Sequence, residues 1–217
     1  MRHAESLEDI DNTAYEKIAD EDMPLSEKGR WQASITGKNL VKEFGEIRHF
    51  RFILSPSKRV LETAEIIVSE LPSGINWSLS TENLIVKQNW GNVTIHNRKE
   101  IEKERYLAGV LRYCFPGGES GAEMLMRFSR FASKLQSDLL LSADDELVVV
   151  ITHGFEVRVL LKSLFFWMED YFESLAHPKN CEMKRVAFEE ANSFVLLDEM
   201  RKHDPKTNTN FVQREKT

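Results

Sequence analysis

A chain of 217 residues is long enough for one sizeable hydrophobic core, and its 41% hydrophobic and 29% charged residues are ordinary for a globular protein. The formal charge of −6 argues against a nucleic-acid partner, which would need a basic surface. The two cysteines, Cys114 and Cys181, are too few for a disulfide scaffold or a zinc site and suit a reducing compartment.

Apolar runs and helical patterns alternate along the chain. The runs are short and rich in Val, Ile and Phe, which suits strands of a sheet covered on both faces. The helical segments place apolar residues at helical spacing, and Ser26 could cap the first of them. In chain order the pattern predicts helix Arg30–Phe44, strand Phe52–Leu54, helix Arg59–Glu70, helix Glu123–Leu139, strand Leu147–Thr152, helix Val157–Trp167 and strand Ser193–Leu197.

This alternation predicts an α/β fold with three layers, α/β/α, and a mostly parallel central sheet that the last strand also joins. Residues 76–115 are less regular, and either an insertion over the strand ends or a surface helix with loops would give such a pattern. The tail at residues 202–217 is polar and is expected to fray. With no membrane-length apolar run and no secretory signal, we expect one cytoplasmic domain over residues 1–217 and no membrane partner.

Residues with phosphate-binding chemistry stand where strands end. Ser55–Arg59 follows the first predicted strand, His153 and Gly154 follow the second, and Arg2-His3 stands at the N-terminus, where one more strand should end. Ligands of parallel α/β sheets collect at the carboxyl ends of the strands. Arginine binds phosphate with two parallel hydrogen bonds, and a histidine between guanidinium groups can attack phosphorus and hold it covalently. We assign no role to the other histidines, which are His49, His96, His177 and His203.

Four segments, in order, resemble the motifs of the histidine phosphatase (phosphoglycerate mutase-like) superfamily over nearly the whole chain. They are Arg2–Ser6, with Ala in place of Gly in the Arg-His-Gly-Glu-Ser signature; Leu25–Ala33; Ser55–Arg59 with Thr63 and Ala64; and Thr152–Gly154 with Arg158. Three further segments are similar to the broad-specificity phosphatases of that superfamily. These are Gln88–Asn92, Pro116–Ala122 and Asn180–Glu182.

The resemblance implies a role for each matching residue. His3 would be the nucleophile that forms a phosphohistidine, and Arg2, Arg59 and His153 would hold the phosphoryl oxygens. Ser6 and Ser55 would be hydrogen-bond donors of the pocket wall. The substrate would be a phosphorylated small molecule or a phosphoprotein, and no cofactor or metal is expected.

The position of the general acid departs from the family pattern. Subgroup members usually carry a glutamate where this chain has Lys87. A lysine next to phosphate should bind the anion rather than donate a proton, and losing a positioned acid typically lowers the rate about 10²–10⁴-fold. Spacing selects no substitute among the candidate acids, which are Glu82, Glu119 and Glu156.

Two further departures lie near the N-terminus. Asp9 replaces the family's usual asparagine, and its carboxylate would repel phosphate unless its loop points to solvent. Met1 alone precedes Arg2 where family members have an apolar strand, so Arg2 and His3 are expected on a terminus that frays. Either the natural protein begins further upstream or the site has diverged.

These observations favour a phosphomonoester hydrolase acting through His3. The alternative is a weakened or inactive member that binds phosphorylated ligands or partner proteins, and a mutase is the third option. A purely structural helical module would leave the strand-end motifs unexplained.

Overall fold

The computed structural model of the chain describes residues 1–142, 145–189 and 193–203. Two short 3-10 helices, Asn12–Glu16 and Asn83–Ile85, supplement the α-helices and strands. The remaining elements in chain order are α1 (Leu7–Ile10), α2 (Glu27–Phe44), β1 (His49–Leu54), α3 (Lys58–Ser69), β2 (Asn76–Thr81), α4 (Arg98–Ala108), α5 (Gly121–Leu139), β3 (Glu146–Ile151), α6 (Gly154–Phe165), α7 (Glu169–Ser174), β4 (Val186–Glu189) and β5 (Ser193–Leu196).

The central sheet has the order β2-β1-β3, and both strand pairs are parallel. Leu54 at the end of β1 lies opposite Ile151 at the end of β3. The chain therefore leaves both strands at the same edge of the sheet, and Ser55 and Thr152 start their loops side by side. The predicted convergence of the two strand-end motifs is confirmed.

Side chains of the sheet alternate between two hydrophobic cores. Phe50, Phe52 and Leu54 of β1 pack in a core with residues of α2 and α3. Ile53 points to the opposite face and joins a core built largely from α5 and α6. Because a strand exposes successive side chains to opposite faces, helices cover both sides of the sheet. The predicted three-layer α/β/α fold is confirmed.

Capping residues set the start of the long helices. Ser26 accepts a hydrogen bond from the backbone N–H of Gly29, so α2 begins at Glu27 rather than at Arg30. Ser120 and Glu123 form a capping box, and α5 accordingly begins at Gly121. The first residues of α2 and α5 include no large apolar side chain, so the spacing of apolar residues does not show where these helices begin.

One prediction about the sheet is wrong, and the segment outside the sheet begins later than the predicted insertion. The predicted strand Ser193–Leu197 forms β5, which pairs antiparallel with β4 in a separate two-stranded sheet. β2 falls within residues 76–115 but pairs with β1, so the part of this segment that lies outside the sheet begins after Thr81. All six side chains of β2 are exposed, which is why its sequence lacks the apolar pattern of a central strand.

The end of the described chain is better ordered than a frayed tail. Lys202 forms an antiparallel bridge with Leu175, and the backbone N–H of His203 donates to Ser174. The rest of the predicted polar tail, residues 204–217, lies outside the described residues. Within the described part, no helix is long and apolar enough to cross a membrane.

Candidate active site

The carboxyl ends of β1 and β3 face a cavity of about 1260 Å³. Five of the predicted site residues line it: Arg2, His3, Asp9, Lys87 and His153. Three others, Ser6, Ser55 and Arg59, are fully buried behind its wall. The segment after β2 supplies further lining residues, such as Trp90 and Arg105, so this part of the predicted insertion does lie next to the site.

Backbone hydrogen bonds place Arg2 and His3 beside the end of β3. The N–H of His3 donates to Thr152 O at 2.9 Å, and the N–H of Thr152 donates to Met1 O at 3.0 Å. Arg2 and Thr152 thereby form a parallel bridge. The expectation that Arg2 and His3 fray is wrong for the described structure. On the opposite side, Cys181 N–H donates to Arg2 O at 3.1 Å.

The ring of His3 is oriented for nucleophilic attack. Its Nδ1 lies 2.7 Å from the carbonyl oxygen of Ala4, which can only accept, so Nδ1 carries the proton and Nε2 carries the lone pair. Burial, together with Arg59 and Arg2, lowers the pKa of His3 to about 3. The imidazole is therefore neutral near neutral pH, which a nucleophile requires.

The second histidine lies against the first. The ring centroids of His3 and His153 are 5.1 Å apart, with the rings edge to face. His153 Nε2 lies 3.0 Å from Ser55 Oγ and 3.5 Å from Ser57 Oγ. Burial and the nearby cation of Arg59 hold the pKa of His153 well below its usual value. Ser55 thus positions His153. The prediction that Ser55 lies on the pocket wall is wrong, and Ser57 lines the cavity instead.

Asp9 lines the cavity, but its carboxylate is paired with Arg2. Arg2 Nη2 donates to Asp9 Oδ1 at 2.6 Å, and Nη1 donates to Pro178 O at 3.1 Å. The other oxygen of Asp9 accepts from the backbone N–H and the hydroxyl of Ser6 at 2.9 and 3.0 Å. Burial raises the pKa of Asp9, but these hydrogen bonds and Arg2 outweigh it and lower the pKa.

Two predictions change accordingly. Ser6 donates to Asp9 at the start of α1 and is not a donor of the pocket wall. The expected repulsion by Asp9 is compensated within the protein, because its charge is paired with Arg2.

Lys87 and Arg59 share acidic neighbours that the sequence did not reveal. Lys87 Nζ lies 3.1 Å from Glu8 Oε2, 2.6 Å from the Tyr15 hydroxyl and 2.5 Å from Asp20 Oδ1. Arg59 Nη2 donates to Asp20 Oδ2 at 3.2 Å. Glu8, Tyr15 and Asp20 come from a polar segment of short helical turns with no motif or periodic spacing, so no sequence signal identified them.

The three candidate acids have different surroundings. Glu82 pairs with Lys134, and Glu119 pairs with Arg127 through both carboxylate oxygens; neither of them lines the cavity. Glu156 lines the cavity and is 2% exposed. Its Oε1 accepts from the backbone N–H of Gln88, next to Lys87, and burial raises its pKa.

Sequence comparison places these motifs in a known family. The profile of the histidine phosphatase superfamily (branch 1) matches residues 1–198. The chain belongs to the histidine phosphatase superfamily. The phosphoglycerate mutase-like protein AT74H of Arabidopsis thaliana is 32% identical over 199 residues, which cover 85% of this chain and 71% of that protein. The broad-range acid phosphatase DET1 of Saccharomyces cerevisiae is 29% identical over 127 residues, 56% of this chain and 38% of that protein.

Solved structures of histidine phosphatases share this fold. A mycobacterial glucosyl-3-phosphoglycerate phosphatase, solved with VO3, superimposes with a TM-score of 0.69 over 93% of this chain and 97% of that chain. The two sequences are 16% identical, so the likeness concerns the fold. Phosphatases are thus among the relatives of this histidine phosphatase superfamily member.

The low pKa of His3 can be measured directly. We expect the Cε1–H resonance of His3 to stay at its neutral position between about pH 5 and pH 8, since its pKa is about 3. Because the unfolded chain takes up this proton below about pH 6.5 and the folded chain does not, His3 lowers stability as the pH falls from 6.5 toward 3. Histidine NMR over a pH series, with free imidazole in the sample as the titrating reference, tests this. A His3 midpoint near that of the reference would contradict the buried, neutral nucleophile.

Proposed function

We propose that the protein hydrolyses phosphomonoesters through a phosphohistidine on His3. One observation carries the proposal: three buried nitrogen atoms near His3 have no hydrogen-bond partner in the described part of the chain. They are Arg2 Nε, His153 Nδ1 and Arg59 Nε, the last of which has only an ion-pair contact, with Glu8 Oε1 at 3.4 Å. Buried polar groups in proteins are nearly always satisfied. A phosphoryl group has three oxygens that accept hydrogen bonds, so a group bound beside His3 would supply acceptors of the kind these nitrogens lack.

The chemistry assigns His3 the nucleophilic step. Nε2 attacks phosphorus in line with the ester bond, the P–O bond breaks, and its electron pair leaves with the alcohol oxygen, which takes up a proton. Water then attacks the phosphohistidine and gives up a proton to the group that protonated the alcohol, the P–N bond breaks, and Nε2 regains its lone pair. Arg2 and Arg59 stabilise the negative charge that develops on the phosphoryl oxygens.

His153 contributes a hydrogen bond to the same group. When the Ser55 hydroxyl donates to Nε2, the proton of the ring resides on Nδ1, which then donates to a phosphoryl oxygen. Because the pKa of His153 is held well below its usual value, this donor is a neutral imidazole. His153 therefore orients the phosphoryl group without adding a further positive charge next to Arg59.

The test of this mechanism is His3→Ala. We expect hydrolysis of 4-nitrophenyl phosphate to fall by more than about 10³-fold, because the variant lacks the atom that accepts the phosphoryl group. Wild type quenched in alkali during turnover should carry phosphohistidine, detected by 31P NMR. The matched control is His49→Ala, which removes an exposed imidazole at the start of β1 and should leave the rate unchanged. Activity that survives in His3→Ala would rule out this nucleophile.

A second candidate function is binding of phosphorylated ligands without turnover. The observation in its favour is Lys87, which donates to Glu8 and Asp20 and places a cation where relatives have a proton donor. In that case inorganic phosphate binds, but neither turnover nor phosphohistidine is found in the wild-type protein.

Glu156 is the proton donor that the geometry favours for the leaving group. It lines the cavity beside Lys87, and burial favours its protonated form. In Glu156→Gln the side chain still accepts from Gln88 N–H but has no acidic proton. We expect hydrolysis of alkyl phosphates to fall about 10²-fold, while 4-nitrophenyl phosphate, whose leaving group needs no proton, is hardly affected.

The matched control for this variant is Glu82→Gln, which removes a candidate carboxylate that is paired with Lys134 outside the cavity. It should behave like wild type on both substrates. Steady-state rates on the two phosphate esters decide the question. An equal loss on both substrates in Glu156→Gln would indicate a structural role for Glu156 rather than proton donation.

A further inference from the structure

One carboxylate joins the two cations at the back of the cavity. Arg59 donates through Nη1 to the backbone carbonyl of Asp20 and through Nη2 to Asp20 Oδ2 at 3.2 Å. Lys87 Nζ donates to Asp20 Oδ1 at 2.5 Å. The two oxygens of Asp20 therefore bridge the guanidinium of Arg59 and the ammonium of Lys87.

Two neighbours complete this arrangement, which we call the Asp20 cluster: Arg59, Lys87, Asp20, Glu8 and Tyr15. Glu8 contacts both cations, at 3.4 Å from Arg59 Nε and 3.1 Å from Lys87 Nζ. The Tyr15 hydroxyl accepts from Lys87 and donates to Asp20 Oδ1 at 3.0 Å. Two cations and two carboxylates balance, so the cluster is electrically neutral as it stands. A phosphoryl dianion that joins it makes the cluster negative unless a carboxylate leaves.

Asp20 stands between Arg59 and the cavity. The side chain of Arg59 is 0% exposed and does not reach the cavity surface, whereas Asp20 lines it. Carboxylates and phosphoryl groups use the same fork of guanidinium N–H groups. A phosphoryl group that is to bind the Nη2 edge of Arg59 therefore needs the place that Asp20 Oδ2 occupies.

The segment that carries Asp20 has few buried residues between its base and Asp20. Its base is closed by a bridge between Ser6 and Leu25, and Leu7 N–H donates to Pro24 O at 3.1 Å. Between these points, the 3-10 helix Asn12–Glu16 contains no buried residue. Segments with few buried apolar contacts open at low free energy. The part of the segment before Asp20 can therefore open most easily, whereas on its other side Met23 is buried and Lys58 N–H donates to Glu21 O at 2.7 Å.

We propose that the Asp20 carboxylate is an internal competitor for the phosphoryl group: it occupies the anion site of Arg59 and Lys87, and a ligand must displace it. This inference rests on the proposed role of Arg59 in phosphoryl binding. A carboxylate fixed to the chain acts at an effective concentration on the order of millimolar or above. Monoanions such as phosphodiesters and carboxylates gain no charge advantage over it. Phosphomonoester dianions do, so Asp20 makes the site selective for dianionic phosphoryl groups.

The test uses the full chain and inorganic phosphate above about pH 7.5, where the dianion dominates. Asp20→Asn keeps the shape of the side chain but removes its charge. We expect calorimetry to show phosphate bound about tenfold more tightly than by wild type, because a neutral amide competes for Arg59 and Lys87 more weakly than a carboxylate does. Asp22→Asn is the matched control, since it removes an exposed carboxylate two residues away, and its affinity should equal that of wild type.

A second measurement follows the loop in the wild-type protein. Lys17 lies in the same segment and is exposed. If phosphate displaces Asp20, trypsin should cut after Lys17 several-fold faster in saturating phosphate than without it. This readout needs no variant, so it holds even if Asp20→Asn fails to fold.

The outcomes separate this inference from the proposed function. Equal or weaker phosphate binding by Asp20→Asn, or cleavage at Lys17 that phosphate slows, would overturn the role of Asp20 while leaving hydrolysis through His3 intact. Absence of both phosphate binding and turnover in wild type and in Asp20→Asn would instead overturn phosphoryl binding at Arg59 and, with it, both proposals.

Discussion

A pair of backbone hydrogen bonds between Thr152 and the first three residues fixes the geometry of the site. The N–H of His3 donates to Thr152 O, and the N–H of Thr152 donates to Met1 O. Since the next residue after Thr152 is His153, this ladder sets the two histidine rings against each other. The register of β1 with β3 then brings in Ser55, which contacts His153, and a turn later Arg59. A disturbance of this ladder would move Arg2 and His3 away from His153 and Arg59.

Electrostatic balance is the second constraint. The site buries arginines next to two histidines, and burial with the neighbouring cations keeps both imidazoles neutral. Two carboxylates offset the positive charges of the arginines: Asp9 pairs with Arg2, and Asp20 pairs with Arg59. Such pairing allows charges to be buried before a ligand arrives. It also makes phosphoryl binding an exchange of anions, in which the incoming dianion must interact more favourably than the carboxylate that it replaces.

Site residues that directly follow a strand could be predicted from the sequence. Site residues whose role depends on a partner far away in the chain could not. Arg59 and His153 follow apolar strands directly, so their convergence could be read from strand ends. Ser6 and Ser55 could not be assigned, because a serine hydroxyl can serve a helix start, a histidine ring or a ligand equally well. The apolar run of β5 has the same pattern whether it joins the central sheet or a hairpin. Asp20 meets Lys87 from 67 residues away, across a loop without a pattern.

A crystal structure with vanadate tests most directly whether Arg2, His3, Arg59 and His153 form one phosphoryl site. Vanadate adopts the trigonal geometry that a phosphoryl group has in the transition state of its transfer. If these four residues form one site, vanadium will be bonded to His3 Nε2. Its oxygens will accept hydrogen bonds from Arg2, Arg59 and His153, and the Asp20 carboxylate will be displaced from Arg59. Vanadate bound elsewhere in the cavity, with Asp20 still on Arg59 and His3 unmodified, would contradict it.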